Sequence, residues 1–145
     1  SMALFFNAYS ISGVLLRMLF GGLPERIGPT RELFPAMAVL TCGFVWLIFA
    51  TSDLHVLAAG VCCGLGHGLT FPILMGLVVS RARDRERGAA MAIFTALFDV
   101  GMLIGGPIFG GLIDVAGFAP AFAGGAALLA SGGLALAVWA RERRD

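Results

Sequence analysis

The sequence predicts an all-α, polytopic membrane protein with five transmembrane helices, and three observations support this fold class. Hydrophobic residues make up 59% of the chain and charged residues 13%, against roughly 45–50% and about 25% in soluble domains. The charged residues are concentrated in short stretches between long apolar runs, as in a chain that crosses a bilayer several times. The 21 glycines lie mostly inside the apolar runs, where small residues allow transmembrane helices to approach closely.

The apolar runs define the spans. Runs of roughly 20 apolar residues, the length that crosses a bilayer, predict spans at residues 4–23, 33–51, 56–79, 89–113 and 118–139. The connections between them are short, and a charged tail follows the last span. The first span has no basic segment before it and is too long for a secretory signal peptide.

The basic residues predict the orientation of the spans. All ten are arginines, and nine lie in the first connection, the third connection and the tail: Arg26, Arg31, Arg81, Arg83, Arg85, Arg87, Arg141, Arg143 and Arg144. By the positive-inside rule these nine face the cytoplasm, which places the N-terminus of this chain outside and its C-terminus inside. Because the chain then starts outside and has an odd number of spans, we expect it to be the C-terminal part of a longer protein.

Three spans each contain one ionisable residue at depth: Arg17, His67 and Asp99. Intramembrane ionisable residues are costly and usually face a cavity or a partner. At a rise of about 1.5 Å per residue, Arg17 lies about 9 Å, His67 about 18 Å and Asp99 about 15 Å from the cytoplasmic ends of their spans. We therefore expect the first, third and fourth spans to surround a polar cavity and the second and fifth to face lipid.

Each of these residues also has a structural interpretation. Asp99 is either a carboxyl hydrogen-bonded to a neighbouring helix or a group that exchanges a proton or meets a cation. His67 is either a hydrogen-bonded interior imidazole or a cavity residue. Arg17 is either a cavity residue or an anchor whose long side chain reaches the membrane edge.

Glycine and proline patterns predict close packing and bending in two spans. The third span has glycines at four-residue spacing and Pro72, and the fourth has glycines on two roughly opposite sides and Pro107. The glycines concerned are Gly60, Gly64 and Gly68 in the third span and Gly101, Gly105, Gly106 and Gly110 in the fourth. A proline removes one helix hydrogen bond and bends the helix, which neighbouring helices compensate in a membrane.

The sequence does not favour an enzyme. It has no HExxH or GxSxG motif and no paired catalytic carboxylates in its spans. The three cysteines lack metal-ligand spacing, so we expect no metal site and no cofactor. The net charge of +1 gives no indication of a nucleic-acid partner.

The stretch GGLPERIG resembles the loop signature G-x-L-x-D-R-x-G of major facilitator superfamily transporters. Gly21, Leu23, Arg26 and Gly28 match the signature, Glu25 stands where aspartate is usual, and the basic pair that normally follows is absent. The departures resemble the weaker copy of the signature between the eighth and ninth helices. The resemblance implies that Gly21, Glu25, Arg26 and Gly28 belong to a cytoplasmic gating loop.

A second stretch, GPIFGG, resembles the G-P-x-x-G-G core of the antiporter signature of the same family, through Gly106, Pro107, Gly110 and Gly111. That signature is best known from the fifth helix, whose counterpart in the internal repeat of the fold is the eleventh. The resemblance implies that these four residues allow the eleventh helix to bend.

The resemblance covers residues 1–145 as helices eight to twelve, part of the C-terminal six-helix bundle of the family, and is greatest to bacterial proton-coupled efflux members. It implies a fragment of a secondary active transporter that moves a drug or metabolite across the inner membrane by alternating access. Asp99 and His67 would line the central cavity. The expected partners are a small-molecule substrate, protons, the lipid bilayer and the missing N-terminal half. The alternative is a self-standing five-span membrane interaction or scaffold protein without transport activity.

Overall fold

The computed structural model describes residues 1–20 and 29–142. Within these residues the chain forms five long α-helices and one short 3-10 helix, with no strand: α1 Met2–Phe20, α2 Pro29–Ile48, α3 Asp53–Arg81, the 3-10 helix Asp84–Glu86, α4 Arg87–Ala116 and α5 Phe118–Glu142. All five α-helices contain segments long and apolar enough to cross a membrane. The predicted all-α architecture with five spans is therefore confirmed.

The boundary of α2 differs from the prediction in a way that changes its chemistry. The helix begins at Pro29, whereas the predicted span begins at residue 33, so Arg31 and Glu32 belong to its first turn. Proline suits the first position of a helix because that N–H needs no helical acceptor. The helix therefore includes two charged residues, Arg31 and Glu32, that precede the predicted span.

Helix α3 is the centre of the bundle. It packs extensively against α1 on one side and α2 on another, and more sparsely against α4. Helix α2 also packs on α5, and α5 contacts α4. Helix α1 contacts the rest of the bundle mainly through α3, whereas α4 contacts it through α3 and α5.

Small residues bring α1 and α3 together. Three glycines four residues apart line the side of α3 that meets α1: Gly60, Gly64 and Gly68. A Cβ at Gly64 would overlap Ser12 Oγ and the carbonyl oxygen of Tyr9. Gly68 faces Gly13, whose Cα would lie 3.2 Å from an added Cβ. The glycine spacing in the third span thus corresponds to a close helix–helix contact.

The contact between α2 and α3 contains the best-buried apolar side chains. Leu33, Met37, Ile73 and Leu77 form its core, with Leu69, Leu74 and Leu136 packed around them. A Cβ at Gly66 would lie 2.7 Å from Leu40 Cα, so the two backbones are close here as well. We expected α2 to face lipid. Its buried side chains instead pack against α3, and Leu136 of α5 packs on the same cluster.

Helix α4 is the least covered element. None of its residues is buried, and a Cβ added at any of five of its glycines would meet nothing within 4 Å: Gly101, Gly105, Gly106, Gly110 and Gly111. The expectation that neighbouring helices approach α4 closely at its glycines is not met within the described part of the chain. The space beside each of those glycines is instead open in the described part of the chain.

Candidate functional site

Two of the three ionisable residues predicted at depth, His67 and Arg17, lie at the contact between α1 and α3, which we call the seam. The hydroxyl of Tyr9 and Nδ1 of His67 are 2.5 Å apart, and their ring centroids are 5.9 Å apart. Arg17 donates from Nε to the carbonyl oxygen of Gly68 at 3.1 Å. The sequence neighbours His67 and Gly68 therefore each bind a different residue of α1, and the seam holds a cluster of polar groups.

The close approach of the helices positions this cluster. Because Gly64 and Gly68 have no side chains, α1 lies against the backbone of α3, and its polar side chains reach that backbone directly. Side chains of a helix tilt toward its N-terminus, so Arg17 extends back along α1 to Gly68. Ser12 lies in the same seam and donates to the carbonyl oxygens of Tyr9 and Val61, at 3.1 and 3.3 Å.

A line of aromatic rings continues from this cluster to α4. The ring centroid of His67 lies 6.2 Å from that of Phe71. Phe71 in turn lies 5.6 Å from Phe94 and 5.2 Å from Phe98, both on α4. The rings thus join the three helices that carry the ionisable residues, and they account for the aromatic contacts between α3 and α4 in the described residues.

A groove of about 550 Å³ lies beside the cluster and is lined by residues of all five helices, among them Phe44, Phe109 and Phe122. Its lining is apolar except at one edge, where Tyr9 and His67 supply a hydroxyl and an imidazole. Such a lining accommodates apolar groups and offers hydrogen bonds at only one side.

Asp99 is not part of the polar cluster. Its side chain is exposed on α4, and it forms no hydrogen bond or ion pair with any described residue. It follows Phe98 in the chain, so it is next to the aromatic line without contacting His67 or Arg17 by a polar atom. Of the three ionisable residues predicted at depth, His67 and Arg17 thus lie at the contact between α1 and α3, and Asp99 lies on α4.

The motif residues of α4 lie within one continuous helix. Gly106, Pro107, Gly110 and Gly111 all belong to Arg87–Ala116. Gly106 also lines a shallow groove of about 550 Å³ on the open face of α4, together with Phe98, Gly101, Met102 and Gly105. The proposed gating-loop residues, Gly21, Glu25, Arg26 and Gly28, lie outside the described residues.

Sequence reasoning missed two residues of interest. Tyr9 is the only tyrosine of the chain, and its position in an otherwise apolar run was the available signal. Glu32 was assigned to a connection, yet it is only 6% exposed in the first turn of α2. Its signal was Pro29, which favours a helix start three residues before it.

Comparison with known proteins agrees with the resemblance found in the sequence. The profile of the Major Facilitator Superfamily matches residues 1–145. An uncharacterized MFS-type transporter of Pseudomonas aeruginosa is 32% identical over 127 residues, covering 88% of this chain and 31% of that protein. Multidrug resistance protein MdtH of Aeromonas hydrophila is 30% identical over 90 residues, covering 62% of this chain and 23% of that protein. MFS-type transporter YhhS of Escherichia coli is 27% identical over 122 residues, covering 84% of this chain and 30% of that protein. The chain thus spans less than a third of the length of these relatives.

Proposed function

This chain belongs to the major facilitator superfamily, and from that premise we propose that it forms helices eight to twelve of a proton-coupled efflux transporter. The family consists of membrane transporters for small molecules, and the chain is accordingly a multi-pass membrane protein with a non-enzymatic role. The proposed transporter works by alternating access: its two halves rock around a substrate site near the bilayer midplane. A drug or small metabolite is the proposed cargo, in line with the multidrug name of one relative.

One observation is the main support for the proposal. The line of rings from Tyr9 through His67 and Phe71 to Phe98 joins the three helices that have ionisable residues in their apolar segments. Polar groups within membrane spans mark substrate and ion pathways by default, because each is costly to keep in lipid. The uncovered face of α4 supports the same proposal, since the missing half of the transporter would cover it.

The arginine distribution supports an orientation for the proposed transporter. Arg83 and Arg85 lie between α3 and α4, Arg81 and Arg87 are the adjoining end residues of these helices, and the connection from α4 to α5 contains no basic residue. We place the arginine-rich connection in the cytoplasm and the transporter in the inner membrane. In this orientation Gly21, Glu25, Arg26 and Gly28 form a cytoplasmic gating loop, and Gly106, Pro107, Gly110 and Gly111 allow the eleventh helix to bend.

Asp99 is the proposed proton-coupling residue, and His67 and Arg17 are proposed cavity residues. The test uses everted membrane vesicles that contain the full-length protein, are acidified inside and are loaded with a pH-sensitive dye. Adding a transported antimicrobial compound should release protons from the vesicles. Asp99→Asn should abolish this release with normal expression, whereas Asp114→Asn, the same change near the end of the same helix, should leave it intact.

The outcomes separate the parts of the proposal. Unchanged proton release in Asp99→Asn rules out Asp99 as the coupling group. If no compound in a broad panel of antimicrobial agents and metabolites releases protons through the wild-type protein, proton-coupled efflux is wrong. In that case the uncovered face of α4 favours the second candidate, a five-span interaction protein that binds another membrane protein through this face.

A further inference from the structure

Glu32 is a buried carboxyl with no partner among the described residues. It lies in the first turn of α2 and is 6% exposed, and neither of its carboxyl oxygens has a hydrogen-bond partner within residues 1–20 and 29–142. Five acids with described side chains differ from it. Asp53 and Asp84 form ion pairs with the N-terminus and Arg87, and Glu86, Asp99 and Asp114 are exposed.

The surroundings of Glu32 are apolar on the side that faces the bundle. The next residue, Leu33, is 1% exposed and packs with Leu77 near the end of α3. Leu136 of α5 packs on the same cluster. The start of α2 therefore packs near the last turns of α3 and α5.

Two arginines near the start of α2, Arg31 and Arg81, form no ion pair with Glu32. Arg31, on α2 itself, is exposed. Arg81, in the last turn of α3, lies over the ring of Trp139 of α5, with 4.3 Å between Cζ and the ring centroid. Neither arginine forms an ion pair with Glu32, and in the described range α5 brings the aromatic ring of Trp139 to this end.

Burial without a donor determines which form of the carboxyl is stable. An ionised carboxylate that is removed from water and left unpaired is far more costly than the neutral acid, so the group takes up a proton. The N-terminal end of α2 favours negative charge, but this effect is small beside the cost of enclosing an unpaired ion. The neutral acid is therefore the form that fits the packing of α2, α3 and α5.

We propose that Glu32 is a proton-binding site of this protein, protonated while the start of α2 is enclosed by the ends of α3 and α5. When these helix ends separate, water reaches the carboxyl, its O–H bond breaks, and the proton passes to water. Enclosure then requires the proton to return. The proton equilibrium of Glu32 follows from the burial of its carboxyl. Its use in transport rests on the proposed function.

Infrared difference spectroscopy tests the proton directly. The full-length protein is reconstituted in lipid nanodiscs and titrated with acid and base while the C=O stretch of protonated carboxyl groups is followed. A Glu32-dependent band should be present at neutral pH in the wild type, absent in Glu32→Gln and retained in Asp99→Asn. Glu32→Gln has the shape of the neutral acid and should fold normally. A neutral-pH spectrum in which this band is the same in the wild type and Glu32→Gln overturns the proposal.

Transport tests the use of the proton. In the full-length transporter, Glu32→Gln should lose stimulation by a pH gradient while keeping substrate exchange without a gradient, and Glu32→Asp should restore part of the stimulation. A Glu32→Gln variant with the wild-type response to the gradient overturns the link to transport. If the wild type transports nothing, the proposed function fails, and the infrared result still decides whether Glu32 holds a proton.

Discussion

Arg17 donates a hydrogen bond from Nε to the carbonyl oxygen of Gly68. That carbonyl lacks its usual helical donor, because residue 72 is a proline. In an α-helix the carbonyl of residue 68 accepts from the N–H of residue 72, which proline lacks. An unpaired carbonyl inside a membrane protein is costly. The arginine of α1 therefore satisfies a defect in the backbone of α3, which links the proline of one helix to the charge of another.

This relationship predicts that the effects of substitutions at Arg17 and Pro72 depend on each other. Arg17→Ala should lower the free energy of unfolding by about 1 kcal/mol in the wild-type background, because it leaves the Gly68 carbonyl unpaired. In a Pro72→Ala background the restored N–H binds that carbonyl, and the same substitution should cost much less. A double-mutant cycle on reversible unfolding measures the difference. Equal costs of Arg17→Ala in both backgrounds would contradict the relationship.

The α1–α3 seam predicts a large difference between two glycine substitutions. Gly64→Ala should destabilise the protein by about 1–3 kcal/mol, because its Cβ would overlap atoms of Ser12 and Tyr9 and force the helices apart. Gly105→Ala, on the open face of α4, should be neutral or stabilising by up to about 1 kcal/mol, since alanine is the better helix former. Denaturant titrations of the two variants in the same detergent make the comparison. Similar stabilities for both variants would mean that α1 does not lie this close to α3.

Phe71 is predicted to hold α4 on α3. Its ring contacts those of Phe94 and Phe98, so Phe71→Ala should lower the free energy of unfolding by about 1–3 kcal/mol, from two aromatic pairs. It should also increase amide hydrogen exchange in α4 more than in α1. Phe49→Ala is the control, because Phe49 is 70% exposed near the end of α2. The prediction is refuted if exchange in α4 responds equally to both substitutions.

Gly117, between α4 and α5, is predicted to be intolerant of side chains for a conformational reason. Its φ of 86° and ψ of −179° are disfavoured for other residues, and no atom would obstruct an added Cβ. Gly117→Ala should therefore cost about 1–3 kcal/mol from backbone strain alone. Gly111→Ala, within α4 and equally unobstructed, serves as the reference, and thermal unfolding of both variants measures the strain. Identical unfolding temperatures would show that the connection has another conformation.

Several features followed from the sequence because they are local properties of the chain. The number of spans depends on the length of each apolar run, and five runs correspond to five helices. The glycine spacing at Gly60, Gly64 and Gly68 identified a face of α3 on which a helix packs, because residues four apart share a side of a helix. The loop signature at Gly21 and the GPIFGG stretch indicated the family that the profile then matched over the whole chain.

Other features depended on which helices are neighbours, and no local pattern contains that information. The glycines of α4 also predicted close packing. In the described chain no helix lies against them, whereas α1 lies against the glycines of α3. The three spans with ionisable residues were expected to surround a polar cavity, and the packing places His67 and Arg17 at one seam, with Asp99 exposed on α4.

Glu32 is the clearest example of the difference between what the local sequence determines and what helix packing determines. By itself the sequence determined that this carboxyl lies near a membrane boundary, because polar residues flank an apolar run of spanning length. The tertiary structure decided that it is buried, since burial depends on the packing around the first turn of α2, where Leu33 lies against Leu77 and Leu136. Composition and spacing determine which segments enter the membrane, and the packing of those segments determines which polar groups lose contact with water.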